Sequence, residues 1–238
     1  MLYIVATPIG NLEDITHRAL RTLGEVDLIL CEDTRKTQNL LAHYNIKTPT
    51  LSYHQHSKLQ KINYILDLLR QGKNIALVSD SGTPGISDPG NKLISEIINV
   101  FGEEVKIIPI PGPSAIAAAV SVSGFPMDRF LFLGFPPTKR KRKKFFQEAV
   151  NSKFPVIFYE SPYRIIKTLE ELNSLFQVLS FKFQVVVCRE LTKKFETIYR
   201  GEIEEVMEEI KKDEIKGEFV AIVRRLKSQE NINSKRQY

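Results

Sequence analysis

The sequence is short of the features that mark many common protein classes. Two cysteines among 238 residues make neither a disulfide framework nor a cysteine-based zinc site. Cys31 and Cys188 each sit inside an apolar run, LILCED and VVVCRE, and read as buried free thiols. No apolar run approaches the roughly 18 residues needed to cross a bilayer. The opening MLYIVATPIGN lacks a basic stretch followed by an apolar segment and a cleavage site, so no signal peptide is read. These absences together point to the cytoplasm. Nucleotide and metal signatures are missing too. No GxGxxG follows the first apolar run, and no GxxxxGK[ST], HExxH, CxxC pair or EF-hand loop occurs, which excludes the usual phosphate cradles. His54 and His56 alternate at a strand end, but two histidines alone do not make a metal site, and no metal is expected.

What is present describes a two-domain α/β chain. Hydrophobic residues make up 42% of it, enough for real cores and too many for a disordered chain. The first half alternates short Ile-, Val- and Leu-rich runs with amphipathic stretches. The runs at Leu2–Ala6, Leu28–Glu32, Thr50–Tyr53, Ile75–Ser79 and Val105–Ile110 read as parallel strands buried on both faces. Between them, Leu59, Ile62, Leu66 and Leu69 recur at helical spacing within Ser57–Gln71, and Gly72 follows as a stop. Leu93, Ile94, Ile97, Ile98 and Phe101 do the same ahead of Gly102. Strand–helix alternation implies right-handed crossovers and an open parallel sheet.

The Pro109–Pro113 cluster, PIPGP, breaks that rhythm. A small, apolar stretch, SAIAAAVSV, follows it and invites close packing by another element. The boundary is therefore placed here, giving an N-terminal α/β domain over 1–113 and a C-terminal one over 114–227. In the second half, strands are expected at Phe130–Phe135, Val156–Glu160, Val185–Arg189, Thr197–Arg200 and Phe219–Val223. A basic helix is expected between the first two of these strands, with further helices at Ile165–Phe176 and at Glu202–Lys212. The close spacing of the third and fourth of these strands makes them antiparallel, so this sheet is mixed. The polar tail, 228–238, has no apolar period and is expected to be disordered.

One segment stands out for chemistry. SDSGTPGISDPG, Ser79 to Gly90, follows directly on the buried strand NIALV. Ligands in open α/β sheets sit beyond the carboxyl ends of the strands. Gly82, Gly85 and Gly90 open backbone conformations closed to other residues, and Asp80 and Asp88 place carboxylates on a loop. Twelve such residues are a costly connection unless they bind something. Ala6–Asn11, Cys31–Arg35 and Pro109–Ser114 are similar in composition and also follow expected strands, so all four segments can face one crevice.

Charge adds a second theme. The net charge is +6, and six consecutive cations run from Lys139 to Lys144 through Arg140, Lys141, Arg142 and Lys143. Such a block repels itself and neutralises phosphates well; the alternative is a solvated helix start.

Taken in order, TPIGNLEDIT, CEDTR, SDSGTPGISDPG, PIPGPSA, FYESPYR and RELTK closely resemble the bacterial 16S ribosomal RNA 2′-O-ribose cytidine methyltransferase family, within the tetrapyrrole-methylase superfamily. The resemblance runs from Leu2 to about Val223. It implies S-adenosylmethionine bound in a cleft between two α/β domains. By motif, Pro8, Ser79, Asp80, Ser81 and Gly82 would border the methionine end. Pro111, Gly112 and Ser114 would flank it, and Tyr159 with the backbone of Glu218, Phe219 and Val220 would meet the adenosine. It further implies 16S ribosomal RNA or the small subunit as partner, and a homodimer. Many family members carry a further C-terminal segment where this sequence shows only its short polar tail.

A ribose hydroxyl is a poor nucleophile and needs a base or an electrostatic helper. Asp33 and Glu190 are the foremost candidates, with Glu160 behind them. Arg35, Arg189 and Lys193 are cationic partners and, with Lys139–Lys144, the candidate RNA contacts. The competing expectations are a methylase acting on a tetrapyrrole or another small molecule, and an RNA-binding module without activity.

Overall fold

The computed structural model describes residues 1–54, 57, 59–88, 90–179 and 182–226. His56, Pro89 and the tail expected to be disordered lie outside these residues. The chain divides into two compact units, Met1–Ser114 and Ala115–Tyr238.

Unit 1 is a parallel sheet with helices on both faces. Its strands are β1 (Leu2–Val5), β2 (Leu28–Cys31), β3 (Thr50–Ser52), β4 (Ile75–Leu77) and β5 (Ile107–Ile110), and its helices are α1 (His17–Glu25), α2 (Thr34–His43), α3 (Leu59–Arg70) and α4 (Asn91–Phe101). The strand order is β3-β2-β4-β1-β5, with every pair parallel; Leu2 registers with both Ile75 and Ile107. Alternation along the strands divides the core in two. Leu2, Leu30, Ile75 and Leu77 pack with α3 and α4, while Val5, Ile29, Ala76 and Val78 pack with α1 and α2. The helix after β1 and the helix after β4 thus cover opposite faces, although β1 and β4 are neighbours. Their carboxyl ends form the sheet's topological switch point, where open α/β sheets bind ligands.

Local chemistry starts the first helices. The Thr16 side chain caps α1 by accepting the Ala19 N–H at 3.1 Å, and Asp33 caps α2 by accepting the Arg35 N–H at 2.9 Å, each satisfying a donor that lacks an intrahelical partner. Two residues depart from the expected apolar faces. Leu59 is 70% exposed and Ile98 51% exposed. Ile98 lies about 100° round the helix from Ile97, off the buried Leu93–Ile97–Phe101 stripe. Leu59 opens α3, a turn before the buried Ile62.

Unit 2 begins with α5 (Ala115–Ser123) and continues through β6 (Leu131–Phe132), α6 (Arg142–Asn151), β7 (Val156–Glu160), α7 (Ile165–Leu179), β8 (Phe183–Arg189), β9 (Thr197–Gly201), α8 (Ile203–Lys212) and β10 (Phe219–Arg225). The sheet order is β6-β7-β10-β8-β9. Only β6 and β7 pair in parallel; β10 runs antiparallel to β7 and β8, and β9 antiparallel to β8. One face carries Val156, Phe158, Val185, Val187, Phe219 and Ala221 against α6, α7 and α8. On α8, Ile203, Val206, Met207 and Ile210 are buried; Glu204 and Glu205 open the helix and Lys211 and Lys212 close it, matching its dipole. The small residues read as a close-packing stretch form α5, whose Ala119 and Ser123 are buried and which packs on β10.

Candidate active site

Three loops at the carboxyl end of the unit 1 sheet are tied into one body. After β1, Thr7 and Gly82 exchange main-chain hydrogen bonds of 2.9 and 3.1 Å, and the Thr7 hydroxyl donates to the Ser79 carbonyl at 3.2 Å. After β4, the buried Ser79 hydroxyl donates to the carbonyls of Ser81 and Gly82 at 3.2 Å each. After β5, the Pro113 carbonyl accepts the Thr83 hydroxyl at 3.0 Å. Two glycines permit the closeness. Gly82 has φ +81°, and a Cβ there would sit 3.2 Å from Ile9; a Cβ at Gly112 would come within 3.0 Å of Ala6. Pro8, Ser79, Asp80, Ser81, Gly82, Pro111, Gly112 and Ser114 therefore belong to one loop body or its margin. Thr7 and Thr83, its main tethers, were not singled out in the sequence; the Thr-Pro dipeptides they open were the available signal.

Carboxylates gather beside these loops. Asp80 accepts the Asp33 N–H at 3.0 Å and the Lys36 ammonium at 2.7 Å, joining the loop after β4 to the start of α2. Burial raises the Glu32 carboxyl above its usual range, helped by the Asp80 charge. Burial likewise pushes Asp88 up to about 6, with the Glu32 and Asp80 charges adding to the rise. Asp33 goes the other way. The Arg35 side chain grips it with hydrogen bonds of 3.1 and 2.8 Å, holding it down at about 2. A carboxylate that acidic is a weak base at neutral pH; its visible work is to cap α2 and hold Arg35.

In unit 2, Tyr159 on β7 registers with Val220 on β10 and packs its ring against Phe132 and Phe135, centroids 5.0 and 5.2 Å away. Val220 and Phe219 are buried. Where β8 ends and β10 begins, Glu190, Lys193 and Glu218 form a knot. Lys193 donates to Glu190 at 2.8 Å and to Glu218 at 2.9 Å, and the Glu218 N–H donates to Glu190 at 2.9 Å. Burial pushes the Glu190 carboxyl up, but these bonds and the Lys193 and Arg189 charges outweigh it, so it lies below its usual range. Glu190 has φ +52° and presses its side chain against Gly217, where no Cβ fits. Arg189, expected among the RNA contacts, is instead buried, donating to the Lys216 carbonyl at 3.0 Å and pairing with Asp213 at 3.7 Å.

Two further expectations for unit 2 are corrected by the side-chain contacts. Glu160 is no free base: Arg164 pairs with it at 2.7 Å, and the Thr168 hydroxyl and the Ser161 N–H donate to it at 2.7 and 2.8 Å. The basic run is not uniform either. Lys139, Arg140, Lys141, Lys143 and Lys144 are exposed, but Arg142 turns inward. Its guanidinium bonds Glu171 at 2.9 Å, Thr168 at 2.8 Å and the Pro137 carbonyl at 3.1 Å and stacks on Phe146 at 4.8 Å. Arg142 holds α6 to α7, leaving five residues of the run at the surface.

Among the described residues, no group of three His, Cys, Asp or Glu side chains is arranged to hold a metal ion, and no helix is long and apolar enough to cross a membrane.

The parallel sheet with its loop body, and the mixed sheet beside it in sequence, are the parts of a methylase: the family described as Tetrapyrrole (Corrin/Porphyrin) Methylases matches residues 1–207. Two solved methyltransferases share the fold. CobJ has a TM-score of 0.68 at 18% identity, covering 94% of this chain and 93% of that one. Cobalt precorrin-4 methyltransferase has a TM-score of 0.65 at 20% identity, covering 93% of each. Sequence relatives are nearer. The protein named ribosomal RNA small subunit methyltransferase I in Vibrio cholerae is 48% identical over 226 residues, covering 94% of this chain and 76% of the relative. Its namesake in Thermotoga maritima is 42% identical over 222 residues, covering 93% and 97%. The chain belongs to this methyltransferase I family of the tetrapyrrole methylases. It is accordingly an S-adenosylmethionine-dependent methyltransferase.

Proposed function

We propose that this enzyme methylates the ribose 2′-hydroxyl of a cytidine in 16S ribosomal RNA of the small subunit. The names of its relatives and the six motifs support the RNA target. The observation that carries the cofactor site is the interlocked loop body at the switch point, with its surplus of carboxylates.

The residues suit the cofactor. Glu32, Asp33, Asp80 and Asp88 are opposed by Arg35 and Lys36, with His54 beside Glu32. Glu32 and Asp88 are raised first by burial and then by neighbouring negative charge, and both effects are relieved by a cation such as a sulfonium or an α-ammonium. S-adenosylmethionine, when bound, supplies the methyl group on a ready leaving group. The chain's own task is then to position and desolvate. Ser79 and Thr7 freeze the loop after β4, Gly82 and Gly112 bring the three loops together, and Asp80 fixes the start of α2. Pro8, Ser81, Pro111 and Ser114 are the proposed flanking contacts. Asp33 and Glu190 are proposed as positioning groups, for Arg35 and Lys193, because both carboxyls are held acidic. Methylation that survives Asp33→Ala with Glu190→Ala removes them as bases.

A homodimer is proposed from the same resemblance, and a cytoplasmic location from the sequence features; light scattering of the purified protein tests the first. The function is tested with purified protein, labelled S-adenosylmethionine and unmethylated small subunits. Nuclease digestion is expected to release label as 2′-O-methylcytidine. Label on a corrinoid or porphyrin but not on RNA would overturn the assignment.

A further inference from the structure

At one end of the unit 2 sheet lies a basic cavity of about 360 Å³, lined by Arg129, Lys153, Phe154, Arg224 and Arg225, with Asp128 the one carboxylate in its lining. It sits where β7 begins and β10 ends. Tyr159 and Val220 are at the other end of these strands. From Val220 to Arg225 is about 17 Å along β10, at roughly 3.4 Å per residue. A second cavity shares Arg224 with it. It reaches across β8 and β9 to Gln184 and Arg200, past Phe125. The linings of the two cavities together span four adjacent strands, about 14 Å at roughly 4.8 Å per strand, and we treat them as one trough.

Its chemistry is specific. Five cations from four separate places in the chain converge on it, so it owes nothing to a run of lysines in the sequence. Arg129, Lys153, Arg200 and Arg225 are exposed. Two aromatic rings lie among them. Phe154 is 43% exposed with the Arg129 guanidinium 5.9 Å from its centroid, and Phe125 has Arg224 at 5.6 Å. Phe125 is half-buried. Cations spaced along a groove with rings between them are the means by which proteins hold single-stranded nucleic acid, the cations on phosphates and the rings on bases. We infer that this trough is a second RNA-binding surface, separate from the Lys139–Lys144 segment, that seats a single-stranded stretch of the ribosomal RNA away from the reacting nucleotide. The inference rests on the RNA reading of the function.

The test uses the full chain and an unmethylated 16S RNA transcript, with affinity measured across a salt series. Arg129→Gln, Lys153→Gln and Arg225→Gln are combined, all at exposed positions. Each phosphate contact to a single strand contributes about 0.7 to the slope of log K against log salt. The triple variant is therefore expected to lose about 2 from the slope, with S-adenosylmethionine affinity unchanged by calorimetry. A companion that combines Arg129→Lys with Lys153→Arg keeps the charges and is expected to keep the slope. An unchanged slope in the triple variant, or an equal loss in the charge-keeping one, overturns the inference. So does a parallel loss of S-adenosylmethionine binding, which would mean general damage. Tighter binding of polyglutamate than of RNA, abolished by the same variant, would assign the trough to a protein partner instead. Failure of the unaltered protein to bind the transcript would overturn the RNA reading itself, so the two failures are told apart.

Discussion

Replacing Asp88 by Asn is expected to stabilise unit 1 at neutral pH, although it alters the loop proposed to seat the cofactor. Asp88 is half-buried, faces the Glu32 and Asp80 charges, and titrates at about 6 against a usual 3.8. At pH values between these two, the native state binds more protons than the unfolded chain, so stability falls as pH rises. The penalty is absent below about pH 4 and complete above about pH 6. A shift of about two units corresponds to about 3 kcal/mol at 1.36 kcal/mol per unit. Because the group is partly solvated, screening reduces this to about 1 kcal/mol. The chain has no tryptophan, so urea unfolding is best followed by far-ultraviolet circular dichroism. The variant's advantage should grow from pH 4 to pH 6, stay flat to pH 8, and shrink in 1 M salt. A variant less stable than the parent at pH 8, or an advantage independent of pH, would refute the reasoning.

The same carboxylates make a binding prediction. A cationic cofactor beside them favours the ionised form, so the Kd for S-adenosylmethionine should tighten as pH rises from 5 to 7, and Asp88→Asn should flatten that dependence in calorimetry. In unit 2, Glu160→Ala removes the buried carboxylate that pairs with Arg164 and accepts from Thr168, and should cost about 3 kcal/mol in urea unfolding. Arg142→Ala should lower the unfolding midpoint while Lys143→Ala leaves it unchanged, since only Arg142 is built into the α6–α7 contact. Gly217→Ala should destabilise by about 2 kcal/mol, from a φ of +92° and the press of Glu190 on that position.

The architecture was legible because its signals are local. Buried parallel strands announce themselves as short Val, Ile and Leu runs, and all ten strands fall on the expected segments within a few residues. Two early helices gave weaker signals. In α2, only Thr37 and Leu41 are buried among polar neighbours, so little periodicity shows, and its start depends on an Asp33 cap that geometry reveals. The loop body was legible as composition but not as a mechanism. That Thr7 closes onto Gly82, seventy-odd residues away, follows from strand order, which a single sequence does not spell out. Side-chain roles were the least legible. Arg142 is indistinguishable from its five basic neighbours until α7 supplies Glu171 and Thr168. Glu160 reads as a free carboxylate until Arg164 folds back on it. Asp33 and Asp88 carry the same carboxyl group, yet one titrates near 2 and the other near 6, because one is clasped by a guanidinium and the other is half-buried beside like charges.

Mass spectrometry of 16S ribosomal RNA from cells with and without this protein tests the central claim most directly. Loss of one ribose methyl from a single cytidine in the deficient cells, restored by the intact gene but not by a gene carrying Gly82→Val, is the predicted result. An identical set of ribose methyls in both RNAs would contradict the account.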